Sequence, residues 1–512
     1  MRRVVGKGKL GNGERGKGKS TRQRAVGSMA KVASRFAFVL TFAVGSLLFR
    51  AACFPALAQS SPGTRNQTQI QKTGTAQVDK PGTTQIDRPG TVADEPATPA
   101  PYMPPACVGK PITTMSRAAM LAQTVLEVGP NPPITQSNQL KVFNALASVL
   151  DQFYLYPDFK GLDWPSIVAE FRGKVERGLD TEKFYNLMEQ FISRLGDQHS
   201  SFESPVRAAA VKAQLAGENN YVGIGALFQA LPERKRVTIL AVTADSPAEH
   251  SGLRQHDSVL EVDGLPLIEN DKVYPHTRGP ECSAATLKVQ SPGKEPRNIT
   301  IIRARGTGPM PIYARLVPTA DGRQIGYIFL PTFLDLTIPG QVKKALEDFG
   351  PLDGLVLDNR MNGGGSSGAL IPVLSFFTSG TLGHFISRTA RRPLEIVATP
   401  VNNSQKVPLV ILVSKNTVSY GEVFAGALRD IGRAKVVGQT TAGHVETLHG
   451  YTFADGSKAW IATERFDPIS SHADWQGIGV QPDVEVSADW DEFTFENDPA
   501  LVVALKLLPR RE

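Results

Sequence analysis

Apolar and polar residues follow three different spacings along the chain. Between Ser116 and Arg194, apolar side chains recur every three or four residues, which is the spacing of amphipathic helices. From about residue 220, apolar and polar residues alternate, which indicates half-buried β-strands. From Ile325, short apolar runs alternate with helical segments, which predicts an α/β core with a mostly parallel sheet. The predicted fold class is therefore an α/β multidomain protein.

The first stretch predicts about three or four helices. Gly196, Asp197 and Ser200 interrupt the spacing and end the helical region. The apolar positions that define its two clearest helices are Val142, Leu146, Leu150 and Phe153, and Phe184, Leu187, Phe191 and Leu195.

The other two stretches predict individual strands and helices. In the β-rich stretch, a short helix at 247–251 separates strands at 237–242 and Ser258–Val262. In the α/β stretch, the clearest elements are strands at Gly354–Asp358 and 408–413 and a helix at 422–429.

The start of the chain has the pattern of an export signal. Lys31 and Arg35 precede an apolar run at 36–49, and small residues follow at 56–58. The run is shorter than the roughly 20 residues that span a bilayer. We therefore expect cleavage before Gln59, no membrane span in the mature chain, and a periplasmic or extracellular location.

The charge distribution argues against a nucleic-acid partner. The chain carries a formal charge of +7, but its first 58 residues hold twelve Lys and Arg against one acidic residue, Glu14. The remainder has 44 basic and 48 acidic residues. The predicted folded part is mildly acidic, so a basic nucleic-acid-binding face is not expected.

A spacer is predicted between the export signal and the folded part. Residues 59–108 are rich in Pro, Thr, Gln and Gly and have too few large apolar side chains to form a core. Cys107 and Cys282 would both remain in the exported chain, where a disulfide is chemically allowed. Two cysteines leave their pairing open at this point.

Two stretches after strands could carry chemistry. The first, residues 358–366, contains Gly363, Gly364 and Gly365, whose N–H groups could face developing negative charge, although a plain turn fits too. No Gly-Lys-Ser/Thr follows, so a phosphate-binding P-loop is excluded. The second, residues 416–422, places Ser419 at a strand-to-helix turn, either as a nucleophile or as a helix cap.

Residues 220–305 resemble a PDZ domain. The resemblance implies that an extended peptide is added as a strand and that its terminal carboxylate binds a glycine-bearing loop; an unrelated β-barrel without a ligand is the alternative. The loop residues are Tyr221, Val222, Gly223, Ile224 and Gly225, and the other matching motifs lie at 246–253, 257–264 and 278–280.

The order of the motifs over roughly 140–490 resembles the C-terminal processing peptidases, also called tail-specific proteases. Besides the PDZ domain, the matching stretches are 196–199, 358–365, 419–422, 426–430, 437–438 and 476–483. The resemblance implies a serine endopeptidase that cuts near the C-termini of exported proteins. It makes Ser419 the nucleophile and assigns the oxyanion hole to the N–H of Tyr420 and one N–H from Gly363 to Gly365. No cofactor or metal is expected, since no His-Glu-x-x-His motif is present.

The chain departs from this family at the general base. The family has a lysine in a Thr-x-Gly-Lys stretch and a glutamine four residues later, whereas this chain has His444 and Leu448. A serine needs a base to become a good nucleophile. His199, by resemblance to the tricorn branch, and His444, by position, are the candidates, with His199 preferred. If neither acts, the chain is a catalytically inactive PDZ protein that binds peptide tails.

These patterns divide the chain into predicted regions. Their boundaries are 1–58 for the signal peptide, 59–108 for the linker, 109–210 for the helical segment, 215–308 for the PDZ domain and 309–512 for the peptidase core.

Overall fold

The computed structural model describes residues 100–121, 129–197, 199–215, 221–269, 272–306 and 311–510. The predicted signal peptide and all but the last residues of the predicted linker lie outside these residues. No helix within the described ranges has the length and apolar character needed to cross a membrane.

Side-chain caps begin the helices of the N-terminal region. Thr135, Asp163 and Asp180 each accept a hydrogen bond from a backbone N–H in the first turn that follows, which satisfies a donor that the helix leaves unpaired. The elements are β1 (Thr113–Thr114), α1 (Arg117–Leu121), α2 (Gln136–Phe153), α3 (Trp164–Glu176), α4 (Thr181–Ser193), β2 (Ser201–Glu203) and α5 (Pro205–Leu215).

The predicted apolar faces of α2 and α4 form the core of this region with one exception. Phe153 is the last residue of α2 and is 45% exposed, whereas the next residue, Tyr154, is fully buried. Helix α2 ends at Phe153, and the next residue, Tyr154, takes the buried position at this end of the helix. Phe153 therefore does not belong to the buried face of α2. The buried positions are Val142, Leu146, Leu150, Phe184, Leu187, Phe191 and Leu195.

Residues 221–306 form a β-rich domain. Its main sheet has the strand order β1-β10-β6-β5-β4, with β11 beside β10 and β7 beside β6, so β4 lies at an edge among the described strands. The elements are β3 (Tyr221–Gly223), β4 (Ala226–Leu231), β5 (Arg236–Val242), α6 (Pro247–His250), β6 (Ser258–Val262), β7 (Leu265–Pro266), β8 (Ile268–Glu269), β9 (Lys272–Val273), β10 (Ser283–Gln290), β11 (Arg297–Ile302) and β12 (Ala304–Gly306).

The residues before the helical region pack on this β-rich domain. Cys107 forms a disulfide with Cys282, with the two Cα atoms 5.4 Å apart. Strand β1 pairs with the start of β10, and the Met120 side chain is buried in the core of the β-rich domain. The expected linker end at 108 and the expected helical segment from 109 therefore differ from the structure, because residues 105–121 are joined to the β-rich domain by a covalent bond, a strand pairing and apolar burial.

The remaining elements form the core, which confirms the α/β class. One sheet has the order β13-β14-β15-β18-β19-β22, and the pairs from β14 to β22 are parallel. The elements are β13 (Tyr313–Val317), β14 (Ile325–Phe329), α7 (Ile338–Phe349), β15 (Gly354–Asp358), α8 (Ser367–Ser375), β16 (Gly380–Ile386), β17 (Arg391–Ile396), β18 (Leu409–Val413), α9 (Tyr420–Asp430), β19 (Lys435–Gly438), β20 (Thr447–Thr452), β21 (Lys458–Pro468), β22 (Val484–Glu485) and α10 (Pro499–Leu507).

His256 joins the β-rich domain to a C-terminal segment of the core. Its Nδ1 lies 2.8 Å from the carbonyl oxygen of Trp490, whose indole N–H donates to the carbonyl of Ile239 at 3.0 Å. The His256 ring is 3% exposed and packs against the rings of Trp490 and Phe493. Burial lowers the pKa of His256 to about 4, so the imidazole is neutral in the folded protein at pH 7.

We expect the contribution of His256 to stability to be present above pH 6.5 and to be lost as the pH falls towards 4. In this range the unfolded chain binds a proton at His256 and the folded chain does not. The difference between a pKa of 6.5 and one of about 4 corresponds to roughly 3 kcal/mol of unfolding free energy. His256→Asn should flatten the dependence of the unfolding free energy on pH, because asparagine can keep the bond to Trp490 but does not titrate. The exposed His250→Asn is the matched control; an equal effect of both variants on the slope would contradict the assignment.

Candidate active site

The two stretches with predicted chemistry follow neighbouring parallel strands. The glycine loop, residues 359–365, comes directly after β15, and the turn at Ser419 lies between β18 and α9. Strands β15 and β18 pair in parallel, so their carboxyl ends meet at one edge of the sheet. This edge is where open α/β sheets usually place their ligand sites.

Buried hydrogen bonds join the glycine loop to the Ser419 turn. The Asn359 side-chain amide donates to the carbonyl of Gly421 at 2.8 Å, and the Thr417 hydroxyl donates to the carbonyl of Asn359 at 2.9 Å. The Val418 N–H donates to the carbonyl of Asn362 at 2.9 Å. The relative position of the two segments is therefore fixed by the backbone of both.

Ser419 has a strained backbone at the N-terminus of α9. Its φ and ψ are 56° and −125°, a combination that a residue with a side chain seldom adopts. Strain of this kind concentrates at functional sites, and the turn that presents a nucleophilic serine is a known example. The residue is 9% exposed and forms a capping box with Glu422, whose carboxylate accepts from the Ser419 N–H at 3.0 Å.

The glycine loop passes directly beside Ser419. A Cβ on Gly364 would lie 2.7 Å from the Cβ of Ser419, and the φ of Gly364 is +85°. Only glycine fits at this position.

The hydrogen bonds distinguish the predicted oxyanion donors from one another. The N–H of Gly364 is taken by the Asn362 side-chain oxygen at 2.9 Å. Within the described residues, the N–H groups of Gly363, Gly365 and Tyr420 donate no hydrogen bond. Of the predicted donors, Gly364 is therefore already paired, and the other three are free to bind an oxyanion.

Glu422 is a buried carboxylate that connects the predicted nucleophile, Ser419, to the predicted base segment. Its Oε2 accepts from the N–H of Ser419 at 3.0 Å and from that of His444 at 2.8 Å. Its Oε1 accepts from the Thr441 hydroxyl and the Gly443 N–H, both at 2.6 Å. Burial raises the pKa of Glu422, and the hydrogen bonds that it accepts act in the opposite direction. This one side chain thus fixes the 441–444 turn against Ser419.

The helical region supplies His199 to this site. Asp197 accepts from the N–H groups of His199 and Ser200, and the Ser200 hydroxyl accepts from the N–H of Ala462 in β21 at 3.1 Å. Strand β2, which follows, pairs with β21. Apolar residues of β20 and β21 complete the core of the helical region, so packing of the helices on these strands determines where His199 lies.

His199, His444 and Glu446 form a cluster. The two imidazole rings meet edge to face with centroids 5.0 Å apart, and the Nδ1 of His199 lies 3.3 Å from Glu446 Oε2. The contact of Nδ1 with Glu446 is a close electrostatic contact without full hydrogen-bond alignment, and Nε2 is buried without a hydrogen-bond partner among the described residues. The structure brings both predicted bases together and connects Ser419 to His444 through Glu422. The predicted peptide loop, residues 221–225, belongs to the β-rich domain instead.

The Glu446 carboxylate is held from the side opposite His199. The Tyr156 hydroxyl donates to its Oε1 at 2.5 Å, and the Lys160 ammonium lies 3.9 Å from the same oxygen. Burial alone would raise the pKa of Glu446, but its contacts with His199, Tyr156 and Lys160 lower it overall. A charged carboxylate therefore faces His199. Burial, together with the neighbouring His199, lowers the pKa of His444 to about 4.

Two functional candidates were missed by the sequence analysis. Glu422 lies inside the matching stretch 419–422 but has no role predicted from the sequence, and Glu446 has none either. A carboxylate two residues after His444 could have suggested a histidine partner, but its partner proved to be His199, from another region. Over the described ranges, no group of three or more His, Cys, Asp or Glu side chains is placed to hold a metal ion.

Comparison with known families identifies two parts of the chain. Residues 324–486 match Peptidase family S41, and residues 138–193 match the Tricorn protease C1 domain. The first match contains the glycine loop, Ser419, His444 and Glu446, and the second covers most of the helical region.

Individual relatives agree with the family matches. A carboxyl-terminal-processing protease from Synechocystis sp. is 29% identical over 371 residues, which cover 70% of this chain and 84% of the relative. The chloroplastic carboxyl-terminal-processing peptidase 2 of Arabidopsis thaliana is 27% identical over 69% of this chain and 70% of its own. The solved structure of a photosystem II D1 C-terminal processing protease superposes with a TM-score of 0.50 at 25% identity, over 68% of this chain and 93% of that one. The predicted resemblance is confirmed.

We expect Glu422→Gln to destabilise the protein, because the amide replaces one acceptor oxygen with a donor and leaves two N–H or O–H groups without an acceptor. At about 1–3 kcal/mol for each such group, the loss is roughly 2–6 kcal/mol. Urea unfolding measures it, with the exposed Glu485→Gln on the same core as the matched control. Equal unfolding free energies for Glu422→Gln and the wild type would mean that the carboxyl group is protonated and does not accept all four hydrogen bonds, so that the role proposed for Glu422 is wrong.

Proposed function

We propose that this chain, which carries a peptidase family S41 domain, is an exported serine endopeptidase that cleaves proteins near their C-termini. Ser419 is the nucleophile, His199 is the general base, and Glu446 orients His199. The observation that carries the proposal is a strained serine beside free backbone donors at one edge of the core sheet, linked through Glu422 and His444 to a histidine that contacts a carboxylate.

The oxyanion hole is assigned to Tyr420 and the glycine loop. The N–H of Tyr420 begins α9 next to the nucleophile, at a helix N-terminus whose dipole favours negative charge. Gly363 or Gly365 supplies the second donor, since the N–H of Gly364 is paired with Asn362. Donors fixed in advance of the reaction are the ones that stabilise a tetrahedral oxyanion most strongly.

His199 is a better base than His444 for two reasons. A carboxylate at Nδ1 favours the tautomer that carries its proton there, which leaves Nε2 as the acceptor for the serine proton. The pKa of about 4 makes His444 a weak base at neutral pH, since a base works best when its pKa is near the working pH. His444 is then a neutral neighbour that packs edge to face on His199.

The reaction follows from these roles. Nε2 of His199 takes the proton of Ser419 as its oxygen attacks the scissile carbonyl, and the carbonyl oxygen becomes an oxyanion at the Tyr420 N–H. The imidazolium, stabilised by Glu446, then gives its proton to the leaving amine and an acyl-enzyme forms. A water molecule, deprotonated by His199, attacks the acyl group; the bond to the Ser419 oxygen breaks as His199 returns the proton to it, and the new C-terminus is released.

The β-rich domain is proposed to act as a PDZ domain that holds the substrate tail. Strand β4 lies at a sheet edge in the described region, where a peptide strand can be added. The N–H groups of Ile224 and Gly225 form no hydrogen bond within the described residues and could receive a carboxylate. Gly225 has φ +83°, and a Cβ there would lie 2.2 Å from the Cβ of Ser246, so glycine is required at this turn.

The export proposal rests on the N-terminal pattern and on the disulfide. The predicted signal lies outside the described residues, but the Cys107–Cys282 bond lies inside them. Disulfides of this kind persist in oxidising compartments and are rare in the cytosol.

Three alanine variants test the catalytic assignment in one assay. With a fluorogenic peptide that ends in a free apolar residue, Ser419→Ala should be inactive, and His199→Ala should lose about 10²–10⁴-fold in kcat. His444→Ala should lose much less. A fluorophosphonate should label every variant that has Ser419 and an intact base, and melting temperatures should show that all variants are folded.

Other outcomes would identify a different mechanism. An active Ser419→Ala protein would make Ser419 a helix cap, and a wild type that neither cleaves nor labels would make the chain a binding protein. A silent His444→Ala beside an active His199→Ala would assign the base to His444, and the acid limb of activity would then lie near pH 4.

The PDZ proposal predicts discrimination at the peptide terminus. The Ser419→Ala chain should bind a peptide with a free apolar C-terminus and should bind its C-terminal amide at least about tenfold more weakly, because the amide lacks the charge that the loop N–H groups receive. Fluorescence anisotropy with matched labelled peptides measures the two affinities. Equal affinities would show that the loop does not capture a carboxylate.

A further inference from the structure

Arg360, within the glycine loop, is held by two buried carboxylates, Asp358 at the end of β15 and Asp498 near the C-terminal end of the described chain. Its Nε lies 2.9 Å from Asp358 Oδ1, and one terminal nitrogen lies 2.5 Å from Asp358 Oδ2. The guanidinium also contacts both oxygens of Asp498, at 3.0 and 2.5 Å. All three side chains are buried. Such paired, two-point contacts fix a guanidinium in orientation as well as in position.

Asp498 lies beyond the S41 match and has a second role. It caps α10 by accepting hydrogen bonds from the N–H groups of Ala500 and Leu501. Helix α10 packs its apolar face on the core sheet. The position of Asp498 is therefore set by a helix anchored independently of the glycine loop.

Aromatic rings of the preceding segment complete the surroundings of Arg360. The guanidinium carbon lies 5.2 Å from the ring centre of Trp490 and 4.9 Å from that of Phe493. Tyr327 donates to Asp358 at 2.7 Å from the neighbouring strand β14. Residues 490–498 thus close over the start of the glycine loop.

We propose that Asp498 is a positioning residue for the oxyanion hole and acts through Arg360. This inference rests on the proposed serine-peptidase function. The Arg360 carbonyl accepts from the Ser414 hydroxyl at 2.6 Å, and three residues later the loop reaches Gly363 and its free N–H. Asp358 and Asp498 fix the Arg360 side chain, and Ser414 fixes its carbonyl. Together these contacts hold the glycine loop in a position from which its N–H donors face the carbonyl of the acyl group on Ser419.

The consequence is an effect on the transition state with little effect on substrate binding. An oxyanion exists in the transition state and not in the bound peptide, so a displaced donor lowers kcat and leaves KM nearly unchanged. Replacing a side chain that serves stability alone would lower the melting temperature without lowering kcat at a constant KM.

Asp498→Asn is the sharpest variant, because asparagine is also a good helix cap and preserves α10, whereas its neutral amide no longer provides two acceptor oxygens for the Arg360 fork. We expect kcat for the fluorogenic peptide to fall about 10–100-fold with KM within about twofold. The inhibition constant of a peptide aldehyde, whose hemiacetal oxygen occupies the oxyanion hole, should rise by the same factor.

Asp491→Asn is the matched control. Asp491 is buried in the same segment but pairs with Arg234 and Arg236 of the β-rich domain. The kcat of the Asp491→Asn variant and its inhibition constant for the aldehyde should therefore stay within about twofold of the wild type. Arg360→Lys is a second variant; it keeps the charge but loses the fork, and it carries the test if Asp498→Asn does not fold. All assays are done well below the lowest melting temperature.

The outcomes separate this inference from the proposed function. A wild type without turnover would overturn both. An active wild type with folded Asp498→Asn and Arg360→Lys variants of unchanged kcat and aldehyde affinity would overturn the positioning role and leave the peptidase proposal intact. Equal losses in Asp491→Asn and Asp498→Asn would also overturn it, since both would then reflect general destabilisation.

Discussion

The carboxylate of Glu422 is the interaction on which the arrangement of the site depends. It lies in the first turn of α9 and is fully buried; its Oε2 accepts from the N–H groups of Ser419 and His444, and its Oε1 accepts from Thr441 and Gly443. A buried carboxylate is costly unless its acceptor capacity is filled. Because groups of both segments fill it here, neither segment can move without leaving buried polar groups unsatisfied.

Two other regions of the chain complete the site around Glu422 and its hydrogen-bond partners. The helical region packs on β20 and β21 and places His199 beside Glu446. The glycine loop is joined to the Ser419 turn by hydrogen bonds such as that from the Asn359 amide to the Gly421 carbonyl, and to the N-cap of α10 by Arg360. The proposed nucleophile, oxyanion donors and base therefore come from three separate stretches of the chain, two of which follow strands of the core sheet while the third belongs to the helical region on β20 and β21.

Local signals in the sequence predicted the elements well, and contacts between distant segments account for the differences. The strand at Gly354–Asp358 follows from a short apolar run, and the turn at Ser419 follows from the change from an apolar run to a helical segment, which are properties of the local sequence. Glu446 could not be assigned in this way, because its partner depends on how the helices dock. The exposure of Phe153 and the attachment of residues 105–121 to the β-rich domain are likewise tertiary effects.

The central claim, that His199 paired with Glu446 serves Ser419, is tested most directly by a crystal structure of the fluorophosphonate adduct. The account predicts a covalent bond to the Ser419 oxygen, a phosphoryl oxygen at the Tyr420 N–H, and Nε2 of His199 within about 2.6–3.2 Å of the Ser419 oxygen. A nitrogen of His444 at that distance, with His199 turned away from Ser419, would contradict it.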